Sequence, residues 1–185
     1  GLNALNSIST DIINQLASNP AEFVDGAVSP DGFLSFGRWQ NGFVLDVDAS
    51  PNGILRRSTL RELVGFQSEH VVIGKSVPVL SIQLSRYDLV GSTRSTSSDS
   101  GELGLGLTSG KILFDLGIGY GSLEANLSHT SETHTLFGDL VLTGNSFVGP
   151  NGIAINSSGN RHRADFSGFF AGAGDGVPQA IGLNY

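Results

Sequence analysis

Arg163-Ala-Asp-Phe-Ser-Gly-Phe-Phe-Ala-Gly172, followed after a short gap by Val177-Pro-Gln-Ala-Ile-Gly-Leu-Asn-Tyr185, is the stretch whose reading decides the fold. It reads as two short strands joined by a glycine-rich loop with one proline. A chain terminus is disordered unless something ties it down, and a strand within a sheet does so. The pair is therefore expected to form the seam of a closed sheet, with Ala180–Tyr185 returning to Phe33–Trp39 or its neighbour.

Composition supports a β protein. A chain of 185 residues is expected to form one domain with a proper core. Its 26 glycines are about twice the usual share, while charged residues, at 15%, fall well short of the usual quarter. Short strands and tight turns suit such a composition better than amphipathic helices do. The net charge of −7 argues against a nucleic-acid partner, because phosphate contacts need clustered Lys and Arg. The basic residues are scattered, apart from Arg56-Arg57 with Arg61, and Arg161-His162-Arg163. With no cysteine there is no disulfide framework, thiol nucleophile or thiolate metal site. No window approaches the length of an apolar membrane-spanning helix. A start at Gly-Leu-Asn and the lack of any Met read as a mature fragment of a longer protein.

Residues 1–28 are expected to be a helical extension, and residues 29–185 the β domain. Ser9 or Thr10 suits an N-cap, and Asp11 suits the positive end of the helix dipole. The helix is placed at 10–18, ended by Asn19-Pro20, with a second short turn at Pro20 to Val24. From Pro30 onward the period becomes two. Phe33 to Trp39 reads as a strand, Gln40-Asn41-Gly42 as a hairpin turn, and Phe43 to Val47 as the return strand. Pro51-Asn52-Gly53 closes that strand, and the same turn motif recurs at Pro150-Asn151-Gly152. Residues 54–68 read as a polar connection with a helical turn at Ser58 to Val64. Further strands are expected at His70–Ile73, Val77–Val90, Leu103–Leu107, Lys111–Leu116, Tyr120–Ser128, Thr133–Leu142 and Ser146–Ile155. A low-complexity loop covers 91–101 and a polar loop 156–162. Strands about ten residues apart, separated by turn signals, point to a sandwich or barrel. The expected fold is an all-β, eight-stranded antiparallel up-and-down β-barrel with a short N-terminal helix, since closure removes edge strands.

Asp165-Phe-Ser-Gly-Phe-Phe-Ala-Gly172 with Ala180-Ile-Gly-Leu-Asn-Tyr185 resembles the end of β-barrel domains like those of transferrin-binding protein B, also found behind FecR-type domains in bacterial regulators. Ser35-Phe-Gly-Arg-Trp39, His70-Val-Val-Ile-Gly74, Ser85-Arg-Tyr-Asp-Leu-Val-Gly91 and Lys111-Ile-Leu-Phe-Asp-Leu-Gly117 look like earlier strands of that family. The resemblance runs in order through residues 30–185. It implies an exported protein of the periplasm or outer-membrane surface of a Gram-negative bacterium, serving iron or solute acquisition or sensing. The handle subdomain of the transferrin-binding lobes and any FecR-type segment are missing, so neither specific activity carries over.

Candidate sites are few. Gly104-Leu-Gly-Leu-Thr-Ser-Gly110-Lys111 fails as a phosphate loop, with Leu105 where the first Gly belongs and Ile112 where Ser or Thr belongs. Asp46-Val-Asp48-Ala-Ser50-Pro-Asn52-Gly53 alternates oxygen ligands, but Pro51 and Arg57 break the calcium-loop pattern. His129 and His134 flank a hairpin turn without a nameable third ligand. No nucleophile elbow or paired carboxylates stand out, so no enzyme, metal or cofactor is expected. Trp39 and Tyr87 are the candidate ligand-binding residues, aromatic rings with a polar handle suited to a barrel mouth. The readings kept open are a module binding a protein or small molecule, a structural or sensor barrel of a larger regulator, and a lipocalin-like carrier of an apolar molecule. A barrel interior filled by Phe, Leu and Ile would exclude the carrier.

Overall fold

Alternation along the chain sets which side chains face inward. In Tyr120–Ser128, Leu123 and Ala125 are buried while Glu124 and Asn126 are exposed; in Thr133–Thr143, Leu136 and Leu140 are buried. A computed structural model describes residues 10–49, 55–80, 83–95, 104–174 and 177–185. The Ser9 cap, the Pro51-Asn52-Gly53 turn and the 96–101 part of the low-complexity loop lie outside these residues. Strands account for 66% of the described residues, with one short helix, so the all-β expectation holds. The helix α1 is Thr10–Ser18, where it was expected.

Two antiparallel sheets form. The smaller has the order β1 (Glu22–Val28), β2 (Leu34–Ala49), β3 (Leu55–Gly74). The larger contains β4 (Leu84–Asp88), β5 (Gly106–Asp115), β6 (Tyr120–Ser128), β7 (Thr133–Thr143), β8 (Ser146–Asn156), β9 (Arg161–Ala171) and β10 (Ala180–Asn184). Each of these seven strands pairs with its neighbours in sequence, giving a nearly closed up-and-down barrel sheet.

Inside this sheet, Phe114, Phe147 and Phe170 are completely buried, with ring centroids 5.2, 5.6 and 5.8 Å apart. Edge-on and tilted contacts at this spacing are the favoured aromatic geometries. Leu123, Leu136, Leu140, Phe166 and Val77 complete the core. Backbone passes close to the rings: a Cβ on Gly121 would lie 2.5 Å from Phe114 Cδ2, and one on Gly168 would strike the Phe147 ring. Glycine is required at both positions.

The small sheet closes the remaining side. Leu34, Phe36 and Arg38 share its inner face with their partners Gly74, Val72 and His70. This face meets β10, where a Cβ on Gly182 would come within 2.9 Å of Val72 Cγ2. After β3, Val77 N–H donates to Phe170 O at 3.0 Å and Gly172 N–H to Lys75 O at 3.2 Å. Among the described residues no ladder joins β10 to β2 or β3; β10 pairs with β9, from Ala180↔Ala171 to Asn184↔Ser167. The expected backbone seam is therefore a packing seam, formed against β3.

Several expected turns are bulges. Asn41 (φ 53°) and Gly42 (φ 78°) do adopt the positive-φ pair of a tight hairpin. Yet β2 runs straight through them, because β3 pairs with it on both sides and leaves residues 64–67 opposite Asn41. From Leu55 to Ser68 the expected connection is strand, and the helical turn expected at Ser58 to Val64 is absent. Its polar residues pair across the sheet: Arg61 Nε donates to Asp46 at 3.0 Å, and Arg61 also bonds Glu69. Residues 22–28, placed in the helical extension, form β1. The two strands expected at 103–107 and 111–116 are joined in the described residues as the single strand β5, Gly106–Asp115, with a bulge between Leu107 and Ser109. Of Val77–Val90, the segment Leu84–Asp88 is strand.

Removing the central ring should leave a cavity that its neighbours cannot fill. Phe170→Ala is expected to lower unfolding stability by about 3–5 kcal/mol in urea titrations.

Candidate functional site

The far half of the barrel is not filled by the phenylalanine cluster. A cleft of about 710 Å³ opens there, between the inner face of β2–β3, the segment 86–95 and β10. Leu34, Phe36, Val72, Leu107, Leu127 and Leu183 give it apolar walls. Its volume lies in the range of small-molecule sites, about 300–1,000 Å³.

Polar groups are placed at its edges by strand parity and by local bonds. Tyr87 alternates inward on β4; its hydroxyl donates to Pro178 O at 3.2 Å and its ring lies 6.1 Å from that of Phe170. Burial raises the Tyr87 pKa, so the phenol stays protonated. His70 Nδ1 lies 2.8 Å from Thr93 Oγ1. Burial first, and then the Arg38 cation, lower its pKa and favour neutral imidazole. Tyr185 is pushed up to about 12, by burial first and then by the Asp25 carboxylate. Since 44% of its surface remains open to solvent, the direction matters more than the size, and this phenol too is neutral.

Below His70 lies a fully buried cation. Arg38 Nε donates to Asp25 Oδ2 at 2.8 Å, and its Nη2 lies 2.8 Å from the same oxygen. Nη2 is at ion-pair distance but off the hydrogen-bond axis, and neither Nη1 nor Nη2 makes a hydrogen bond. The second Asp25 oxygen accepts from the Arg94 backbone N–H at 3.4 Å. This pair therefore links β1, β2 and the rim of the cleft.

Of the two residues singled out in the sequence, Tyr87 reaches the cleft and Trp39 does not. Trp39 faces outward from β2 and packs edge-on against Phe23, 5.4 Å away. His129 lines the cleft, whereas His134 lies against Glu132 at 3.1 Å and the His162 ring at 6.1 Å. Among the described residues, no three His, Asp or Glu side chains are placed to hold a metal ion. Asp46 is bonded to Arg61, and residues 50–53 of that stretch lie outside the described residues. The Gly104–Lys111 run is strand from Gly106 onward, with Lys111 paired to Glu124 at 2.8 Å. Sequence reasoning reads His70 as a half-buried strand residue and sets Arg38 on the face opposite Trp39, as found, but does not put them or Asp25 in a site; the signal was an arginine in phase with Leu34 and Phe36.

No family model, curated protein or solved structure matches the chain.

Asp25→Ala strands a buried guanidinium and is expected to cost about 3–5 kcal/mol in chemical denaturation. His70 has a folded pKa below the ordinary 6.5, so its contribution is complete above that pH and is lost as pH falls through the folded value. Unfolding free energy measured against pH should therefore decline below about 6.5, and His70→Gln should flatten that part of the curve.

Proposed function

We propose that the chain is a non-enzymatic binding barrel that takes a small, mostly apolar molecule into the cleft beside Tyr87. The observation that carries this reading is the cleft itself: apolar walls edged by neutral polar groups and by charges with protein partners, next to a core already filled by aromatic rings. The phenylalanine cluster fills one half, so in this reading the binding volume is the open half. Polar groups at the edges are occupied within the protein, Tyr87 with Pro178 and His70 with Thr93, which suits recognition.

In this reading the barrel counts eight walls, with β3 as the eighth, like the transferrin-binding protein B type of domain. It belongs to an exported bacterial protein, at the periplasm or outer-membrane surface, serving solute or iron acquisition or sensing.

Nile red, a neutral dye that brightens in apolar surroundings, tests the reading. One saturable site with a Kd on the order of micromolar is expected, and Val72→Trp, which fills the cleft, should abolish it. Absence of saturable binding to the folded protein, or unchanged binding to the Val72→Trp variant, would refute it.

A further inference from the structure

Beside the large cleft lies a second one of about 350 Å³, and Phe36 lines both. Ser29, Val90, Gly91 and Ser92 are shared as well. The Phe36 ring sits over Gly91: a Cβ built there would lie 2.8 Å from Phe36 Cζ. The partition is thus a single ring resting on a residue without a side chain. Phe36 is half-buried and paired to Val72 on one side and Ala27 on the other, so its backbone is held while its ring has space on two sides.

We infer that the two clefts form one elongated site for a straight-chain, uncharged amphiphile, and that Phe36 sets the chain length it accepts. This rests on the cleft being a binding site, as proposed above.

Charge bookkeeping along the walls selects the ligand class. The Asp31 carboxylate is taken up by Ser29 Oγ at 2.5 Å and by the Phe33 N–H at 3.0 Å. Arg86 is bound to Asp88, at 2.7 and 3.0 Å. Arg38 is held by Asp25. His70, Tyr87 and Tyr185 are neutral near pH 7, as argued above. A carboxylate or ammonium group entering the apolar part would lose its hydration, and the Asp31, Arg86 and Asp88 charges among the described lining residues are already taken up by protein partners. An alkyl chain meets Leu34, Val72, Leu107 and Leu127 instead.

Polar character returns beyond Phe36. The smaller cleft is lined by Asp25, Arg94 and Ser92, which bring both signs of charge together with a hydroxyl. Arg94 Nε donates to Gly104 O at 3.1 Å, which fixes that guanidinium at the cleft's edge. Such a mixed lining suits a neutral head group that both donates and accepts hydrogen bonds, such as an alcohol. The apolar tail would lie in the large cleft with the head against the Phe36 ring, and a longer chain would carry its head past that ring into the small cleft only where the ring gives way.

A homologous series of straight-chain primary alcohols, with the matching carboxylates, titrated into the full chain by displacement of Nile red tests the inference. For the wild type, affinity should rise about fourfold per added methylene and then level off at a limiting length. Phe36→Ala should move that limit to longer chains, with Phe36→Leu in between. Carboxylates should bind about tenfold more weakly than alcohols of equal length at pH 7. If the wild type binds no member of the series, both the cleft reading and this inference fall. If it binds but the limit stays the same in Phe36→Ala, the cleft reading stands and the role of Phe36 is refuted. Carboxylates binding as tightly as alcohols refute the uncharged class. Should Phe36→Ala not fold cooperatively, the conservative Phe36→Leu decides by the same comparison.

Discussion

The packing of Phe114, Phe147 and Phe170 against one another is the contact on which the rest of the molecule depends. A barrel of this size has an interior that side chains just fill, and here three rings occupy one half of it. Their bulk is accommodated because glycine replaces larger residues where other strands cross them, as Gly121 does at Phe114 and Gly168 at Phe147. The glycine content of the chain is thus in part a consequence of aromatic packing. Once that half is full, the other half is walled by Val72, Leu34 and Gly182, whose smaller volumes leave the cleft open.

A second constraint is electrostatic. Burying the Arg38 guanidinium costs several kcal/mol of lost hydration, which a single carboxylate with good geometry offsets in part. Its unbonded terminal nitrogens make the pair a poor source of net stability. What it contributes is placement: Asp25 is on β1, Arg38 on β2, and the Arg94 backbone that bonds Asp25 belongs to the rim of the cleft. Burial first, and the buried cation second, keep His70 neutral, so the wall it presents carries no charge near neutral pH.

Much of the larger sheet was legible in the sequence. Leu123 and Ala125 alternate with Glu124 and Asn126, so β6 was readable residue by residue, and the β9–β10 pair was readable from Phe166 to Leu183. The smaller sheet was not. Residues 55–63 carry Arg, Ser, Thr and Glu in a sheet with polar residues at its surface, which erases the period-two signal and leaves a composition that reads as a connection. At Asn41-Gly42, sequence correctly implies positive φ, but a tight turn and a bulge use the same dihedrals. Partner strand continuity decides between them, and that is a long-range property. The cleft was half legible for the same reason. Tyr87 was singled out as an aromatic residue with a hydroxyl, and parity brings it inward. Trp39 has the same chemistry on the opposite parity, and its place beside Phe23 depends on β1, which had been read as helix.

The central claim is a barrel with one half filled and the other open to a ligand. Methyl-resolved NMR during titration with an apolar dye tests it most directly. The account predicts that methyl signals of Leu34, Val72, Leu107, Leu127 and Leu183 shift together with one saturation curve, while those of Leu123, Leu136 and Leu140 in the filled half stay in place. Shifts confined to outward residues such as Ile73 and Val148, or spread through the phenylalanine core, would contradict it.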